Sequence, residues 1–308
     1  MNTTPRTAFI LQVHKNPQQV NKFIQQLTAK EQADVYIHID KKSYEGMKNQ
    51  LVKGPNVYIL ENSVNCEWGD ISQIDATLLL LKEVLASGNE YDFVCLRSGQ
   101  DLLVKDGFKD FLRANRNSVF LDYRDISQGN TGLMNIRWPK VMRKRYTNSH
   151  PLRIIRRILL SLYGKGISLF PNKNYWPREY SFYKGSQWFS IPFDVAKYIN
   201  QFLEENSWYY SFFTNSLVPD ESFFHTLILN SKYKSNVVNN HLFFIKWGET
   251  LSERNSPQDL ISEDIARIVK SEQFFARKFE EKTDEAIIHY FHQRVTLSKD
   301  VKYLKRGS

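Results

Sequence analysis

The 308 residues carry a net charge of +9, with hydrophobic residues at 42% and charged residues at 24%. That balance excludes a disordered chain and suffices for a large core. Two cysteines, Cys66 and Cys95, exclude a disulfide framework or a cysteine-built metal cluster, and no apolar run is long enough to span a bilayer.

The first half alternates strand and helix. Ala8–Val13 reads as a short buried strand, and Val20, Phe23, Ile24 and Leu27 recur at helical spacing. Asp34–Ile39 and Asn56–Leu60 follow as strands, Ile71–Leu85 as a helix and Phe93–Leu96 as a fourth strand. Phe108–Arg113 then predicts a helix and Ser118–Leu121 a strand. Such alternation predicts an α/β fold with a mostly parallel sheet, whose ligands sit beyond the carboxyl ends of the strands. His14, Asp40 and Ser98–Asp101 fall at those ends, which makes them candidates by position.

From Ile126 to Arg178 there are eleven lysines and arginines and no acid, so the rest of the chain is slightly acidic. Within this span Ile154, Ile155, Ile158, Leu159 and Leu162 interleave with Arg153, Arg156 and Arg157. One helix face would be apolar and its flank cationic, which fits either an anionic membrane surface reached through 137–178 or an ordinary surface helix. No nucleic-acid motif accompanies the charge, and nucleic acid is not expected as a partner. Beyond it, Ser186–Ile191 alternates like a strand, Pro192 opens a helix to about Leu203, and two more helices follow Ser262. The tail 296–308 reads as frayed. The polar start Met1–Arg6 is no signal peptide, so the expected location is cytoplasmic, peripheral at the inner face of the cell membrane.

Pro219-Asp220-Glu221 precedes the apolar run Phe223, Phe224, Leu227 and Ile228. A proline followed by acids is how a helix begins, and also where a carboxylate base can be presented. Arg254 and Lys278 follow with no obvious acidic partner. The chain lacks Gly-x-Gly-x-x-Gly, a Walker loop and Asp-x-Asp, so dinucleotide, triphosphate and metal-diphosphate sites of those kinds are not expected. Trp188 and Trp247 are either core residues or stacking platforms.

Seven segments in order resemble the core-2/I-branching β-1,6-N-acetylglucosaminyltransferase and peptide O-xylosyltransferase family. They are Phe9–Lys15, Val35–Ser43, Trp68–Leu78, Leu96–Asp101, Gly185–Phe189, Pro219–Glu221 and Phe275–Phe279. The resemblance implies a GT-A-like nucleotide-sugar-binding fold with a helical C-terminal part. It implies one domain over 1–295: a nucleotide-binding half (7–125), a basic insertion (126–178) and an acceptor and catalytic half (179–295).

It also implies an inverting, metal-independent transfer, most often of N-acetylglucosamine from a UDP-sugar, with xylose or other hexoses as alternatives. By position, Glu221 would be the general base, Arg254 and Lys278 would neutralise the departing diphosphate, and Val13, His14 and Asp40 would hold the uridine. Asp101, Gln187, Trp188, Asp220 and Trp247 would surround the acceptor and donor cleft. The acceptor would be a glycan, lipid-linked in a bacterial-type member building surface polysaccharide. A non-catalytic membrane-binding protein on the same fold is the alternative from another class.

Overall fold

The computed structural model describes residues 6–29, 33–129, 131–250 and 256–297. Its centre is a seven-stranded sheet. In chain order the strands of the first half are β1 (Thr7–Val13), β2 (Asp34–Ile39), β3 (Val57–Ile59), β4 (Phe93–Ser98), β5 (Leu102–Leu103), β6 (Val119–Leu121) and β7 (Arg124–Asp125). Those of the second half are β8 (Tyr183–Lys184), β9 (Ser190–Pro192), β10 (Val237–Asn239), β11 (Phe243–Ile245) and β12 (Phe275–Arg277). The central order is β10-β6-β9-β4-β1-β2-β3. Every pair in it is parallel except those made by β9, which runs antiparallel to both β4 and β6.

β1 and β2 are buried along nearly their whole length. That is why they read as apolar runs without alternation: a parallel strand in mid-sheet has helices over both faces. The helix Pro17–Ala29 joins β1 to β2, and Ser72–Ala86 joins β3 back to β4. These right-handed crossovers run in opposite directions along the sheet, so the helices cover opposite faces. Glu285–Leu297 packs beside the first and Phe193–Glu205 beside the second. Strand order reverses between β1 and β4, and the crevice at their carboxyl ends is where an open α/β sheet offers room for a ligand.

Several expectations shift. The strand read over Ser186–Ile191 is confined to Ser190–Pro192. Ahead of it the Gly185 and Ser186 N–H groups donate to the Glu221 carbonyl and to Asp122 Oδ1 (2.8 and 2.9 Å), not to a strand partner. The helix expected from Asp220 begins at Phe223, after one 3-10 turn over Pro219–Glu221. The C-terminal part holds the helices Ile265–Lys270 and Glu285–Leu297, and it also contributes β11 and β12 to a small sheet of order β11-β12-β5.

The basic helix forms over Pro151–Gly164, but the isoleucines are not its packed side. Leu159 and Arg156 are buried, and Leu159 joins a small core with Ile136, Trp138 and Leu217. Arg156 lies under the Trp68 and Tyr146 rings, 5.9 and 5.4 Å from their centroids.

Candidate active site

The ends of β1 and β2 are tied together first. The Asp40 N–H donates to the Val13 carbonyl at 2.8 Å, and Asp40 Oδ1 accepts from the Lys42 N–H at 2.9 Å. Ser43 Oγ donates to the His14 carbonyl at 2.7 Å. These bonds aim Asp40 and leave the His14 side chain at the rim. Crowding by protein and the nearby Lys15 lower the His14 pKa, against an opposing pull from Asp40; Lys278 and Glu280 are also within electrostatic reach. Val13, His14, Asp40 and Lys278 are thus brought together from three strands.

Lys278 follows β12 directly, where sequence reasoning saw no acidic neighbour. It has one: Asp259 Oδ1 lies 3.7 Å from its Nζ. Glu280, which sequence reasoning missed, ion-pairs with Lys15 and accepts from Asn16 Nδ2 at 2.6 Å, clamping the β1 loop to the β12 loop. Only its closeness to Lys278 in the chain could have suggested it. Arg254 lies outside the described residues.

The second group surrounds Glu221. Val218, a β-branched residue, takes a left-handed conformation (φ 56°, ψ 51°), a strain worth roughly 1–3 kcal/mol that the surrounding structure must hold. Its N–H donates to the Gly69 carbonyl at 3.0 Å, and Pro219 then starts the turn that presents Glu221. Glu221 Oε2 meets Lys184 Nζ at 2.8 Å, its only ion pair among the described residues.

Gly185 beside it is forced by space: a Cβ there would lie 1.9 Å from the Asp122 carbonyl oxygen and 2.9 Å from His225 Nε2. His225 is buried, with Nε2 placed 2.9 Å from the Ser186 carbonyl, so the proton belongs on Nε2. Burial lowers its pKa, with Asp122 pulling the other way, and it is neutral near pH 7.

Asp220 does not serve the helix terminus as its position suggested. The helix cap is Ser222, which makes no side-chain cap bond. Asp220 Oδ1 is instead buried without a hydrogen-bond partner. Burial, and after it the charge of Glu221, push its carboxyl up to about 7.

A third group lies behind these two. Asp101 is fully buried and accepts from the Ser98 N–H and Oγ at 2.7 and 3.0 Å. Arg277 Nε sits 3.7 Å from Asp101 Oδ1, and its guanidinium lies 4.2 Å from the centroid of the Trp188 ring. Arg97, also fully buried, lies over the Phe275 and Phe243 rings at 4.1 and 4.9 Å, and burial draws its pKa down to about 10. Asp101 and Trp188 therefore fix a buried arginine and present no surface to a ligand. Gln187 is half-buried beside Trp188. Trp247 is 51% exposed after β11, which settles against a core role. His241, also missed, has its pKa lowered chiefly by burial, and it feels the charges of Asp122, Arg97 and Arg277.

A sequence model of the Core-2/I-Branching enzyme family matches residues 7–274. The chain belongs to that family. Among curated relatives, "Xylosyltransferase oxt" of Drosophila pseudoobscura pseudoobscura is 27% identical over 307 residues, covering 92% of this chain and 32% of the relative. "Xylosyltransferase 2" of Rattus norvegicus is 26% identical over 306 residues, covering 92% of this chain and 33% of the relative. The chain thus spans about a third of the length of these relatives.

Among solved structures, mouse "Xyloside xylosyltransferase 1" in its apo form aligns with a TM-score of 0.41 and 9% identity. That alignment covers 88% of this chain and 96% of the other. For this core-2/I-branching family member the expected α/β fold holds, with a mostly parallel central sheet and flanking helices.

Proposed function

We propose that this chain is an inverting glycosyltransferase that moves a sugar from a UDP-sugar to a glycan hydroxyl, with Glu221 as general base. The observation that carries the reading is the presentation of Glu221. A strained Val218 and a sterically obligatory Gly185 fix its backbone, while Lys184 at 2.8 Å holds one carboxylate oxygen in place. Lys278 lies at the end of β12, within electrostatic reach of His14 at the end of β1.

The step is a single displacement. The acceptor oxygen bonds to C1 of the donor sugar as the bond from C1 to the diphosphate oxygen breaks. The hydroxyl proton passes to Glu221, and the electron pair leaves on UDP. Lys278, with Arg254 by resemblance, meets that growing negative charge, and one such donor is worth about ten- to a thousandfold in rate. Because the chain has no Asp-x-Asp, this reading gives the diphosphate to side chains and requires no divalent metal.

The resemblance makes N-acetylglucosamine the donor sugar, whereas the names of the relatives favour xylose, and UDP-xylose is the second reading. The acceptor we propose is a lipid-linked glycan of bacterial surface polysaccharide, elongated at the inner membrane face. UDP release measured across a panel of UDP-sugars and acceptors, with wild type and Glu221→Gln, tests the reading. Glu221→Gln should abolish transfer and keep the thermal shift given by UDP. Loss of both together would make Glu221 structural and sink the assignment.

A further inference from the structure

The helix Pro151–Gly164 is turned the wrong way for a surface helix of a soluble domain. Such helices bury their apolar stripe and expose their cations. Here Arg156 is buried, 6% exposed, while Ile154 and Ile158, one turn apart on the same face, are 44% and 53% exposed. Ile155 beside them is 40% exposed. Past the helix end in the chain, Leu169 and Phe170 are also both more than half exposed.

Leu169 and Phe170 edge a cleft of about 980 Å³ whose other walls carry Arg137, Lys140 and Lys173. None of those three cations has an ion pair among the described residues; in the whole basic span only Arg143 has one, with Asp70 at 3.0 Å. The span 126–178 brings only cations to this surface, although Asp70 pairs with Arg143 and Glu67 lies within electrostatic reach of Lys140 and Lys144. Its exposed isoleucines are of no use to a nucleic acid, which offers phosphate and base edges. Both features are satisfied together by one occupant, a bilayer with anionic headgroups over an apolar layer.

We infer that this face docks on an anionic bilayer, with Ile154, Ile155 and Ile158 in the acyl boundary and lipid phosphate in the cleft among Arg137, Lys140 and Lys173. The inference takes its membrane setting from the lipid-linked acceptor proposed above but is independent of the transfer chemistry. The docking face is coupled to the site through the fold. Leu159 of this helix packs with Leu217, and Val218, which launches the Glu221 turn, lies against the same cluster.

The test is co-sedimentation of the whole chain with vesicles of phosphatidylcholine alone and of phosphatidylcholine with phosphatidylglycerol. Binding should require phosphatidylglycerol and weaken with salt. Each neutralised cation at the surface is worth about fivefold, so Arg137→Ser/Lys140→Ser/Lys173→Ser should weaken binding about a hundredfold. Ile154→Glu/Ile158→Glu should weaken it by about tenfold or more without changing Tm.

Equal binding of wild type and both variants would overturn the inference. So would tighter binding to duplex DNA or RNA than to vesicles, or a two-chain mass in solution that the isoleucine variant reduces to one. Inorganic phosphate that competes for the cleft as well as vesicles do would show that it reads free phosphate, and would overturn the lipid assignment. UDP release with a water-soluble acceptor reads the catalytic site separately, so a failure of docking and a failure of transfer give different results.

Discussion

Gly185→Ala probes the geometry most directly. The added methyl carbon would sit 1.9 Å from the Asp122 carbonyl oxygen, 2.8 Å from the Asp122 carbonyl carbon and 2.9 Å from His225 Nε2. Two of these are backbone atoms, so no side-chain rotation relieves the clash. Restoring an ordinary contact of 3.4 Å requires the segments to part by about 1.5 Å. The Gly185 N–H bond to the Glu221 carbonyl, 2.8 Å long, and the Ser186 bond to Asp122, 2.9 Å, lie in the path of that movement.

Overpacking of this kind costs about 1–3 kcal/mol, which lowers Tm by several degrees at this chain length. A shift of about 1 Å in the base should lower the rate by about a hundredfold. Differential scanning fluorimetry and UDP-release kinetics measure the two effects. Wild-type kcat with Tm within a degree would refute the close approach of Gly185 to Asp122, and with it the account of how Glu221 is held.

Asp220 gives a pH signature. Its folded pKa, about 7, stands above the ordinary aspartate value of 3.8, so between those limits the folded state binds more protons than the unfolded state. Stability from this group is therefore complete below about pH 4 and is lost as pH rises through 7. Asp220→Asn should flatten that slope in urea titrations between pH 5 and pH 8, and an unchanged slope would discount the buried acid. Arg277→Met removes the cation 3.7 Å from buried Asp101 and the partner of the Trp188 ring. It should cost about 3–5 kcal/mol, seen as a lower urea midpoint; no loss would mean Arg97 alone satisfies Asp101. EDTA should leave transfer unchanged, and an activity restored only by Mn²⁺ would overturn the use of side chains on the diphosphate.

The scaffold was legible because parallel strands buried on both faces must be apolar throughout, as Phe9–Leu11 and Phe93–Leu96 are. Their ends then placed His14, Asp40 and Asp101 with no further information. Legibility failed where contacts join distant segments through very short elements. β11, β12 and β5 have two or three residues each, too few for a period, yet they carry Arg277 and Lys278 to the site. Lys184 and Glu221 lie in separate segments, and nothing local marks the lysine. His225 did leave a trace, as a polar residue inside an otherwise buried helix. The basic helix misled for another reason: Leu152, Leu159 and Tyr163 form one apolar face and Ile154, Ile155 and Ile158 another. Periodicity does not say which of two apolar faces meets the core.

The single displacement proposed above sets separate charge tasks for the two ends of the crevice. At one end Asp122, Asp220 and Glu221 gather with one cation, Lys184. At the other end Lys278 lies with Asp259 and within reach of His14, Asp40, Lys15 and Glu280, while Arg97 and Arg277 stay fully buried behind. His225 and His241, which both feel Asp122, have pKa values lowered chiefly by burial. Kept neutral, His225 adds no positive charge beside Glu221. On the reading proposed above, the proton leaving the acceptor oxygen moves to Glu221, and the electron pair leaving C1 moves toward the Lys278 ammonium. Fixed charges already in place need no reorganisation as the charge separates, which is the condition under which such groups lower a barrier most.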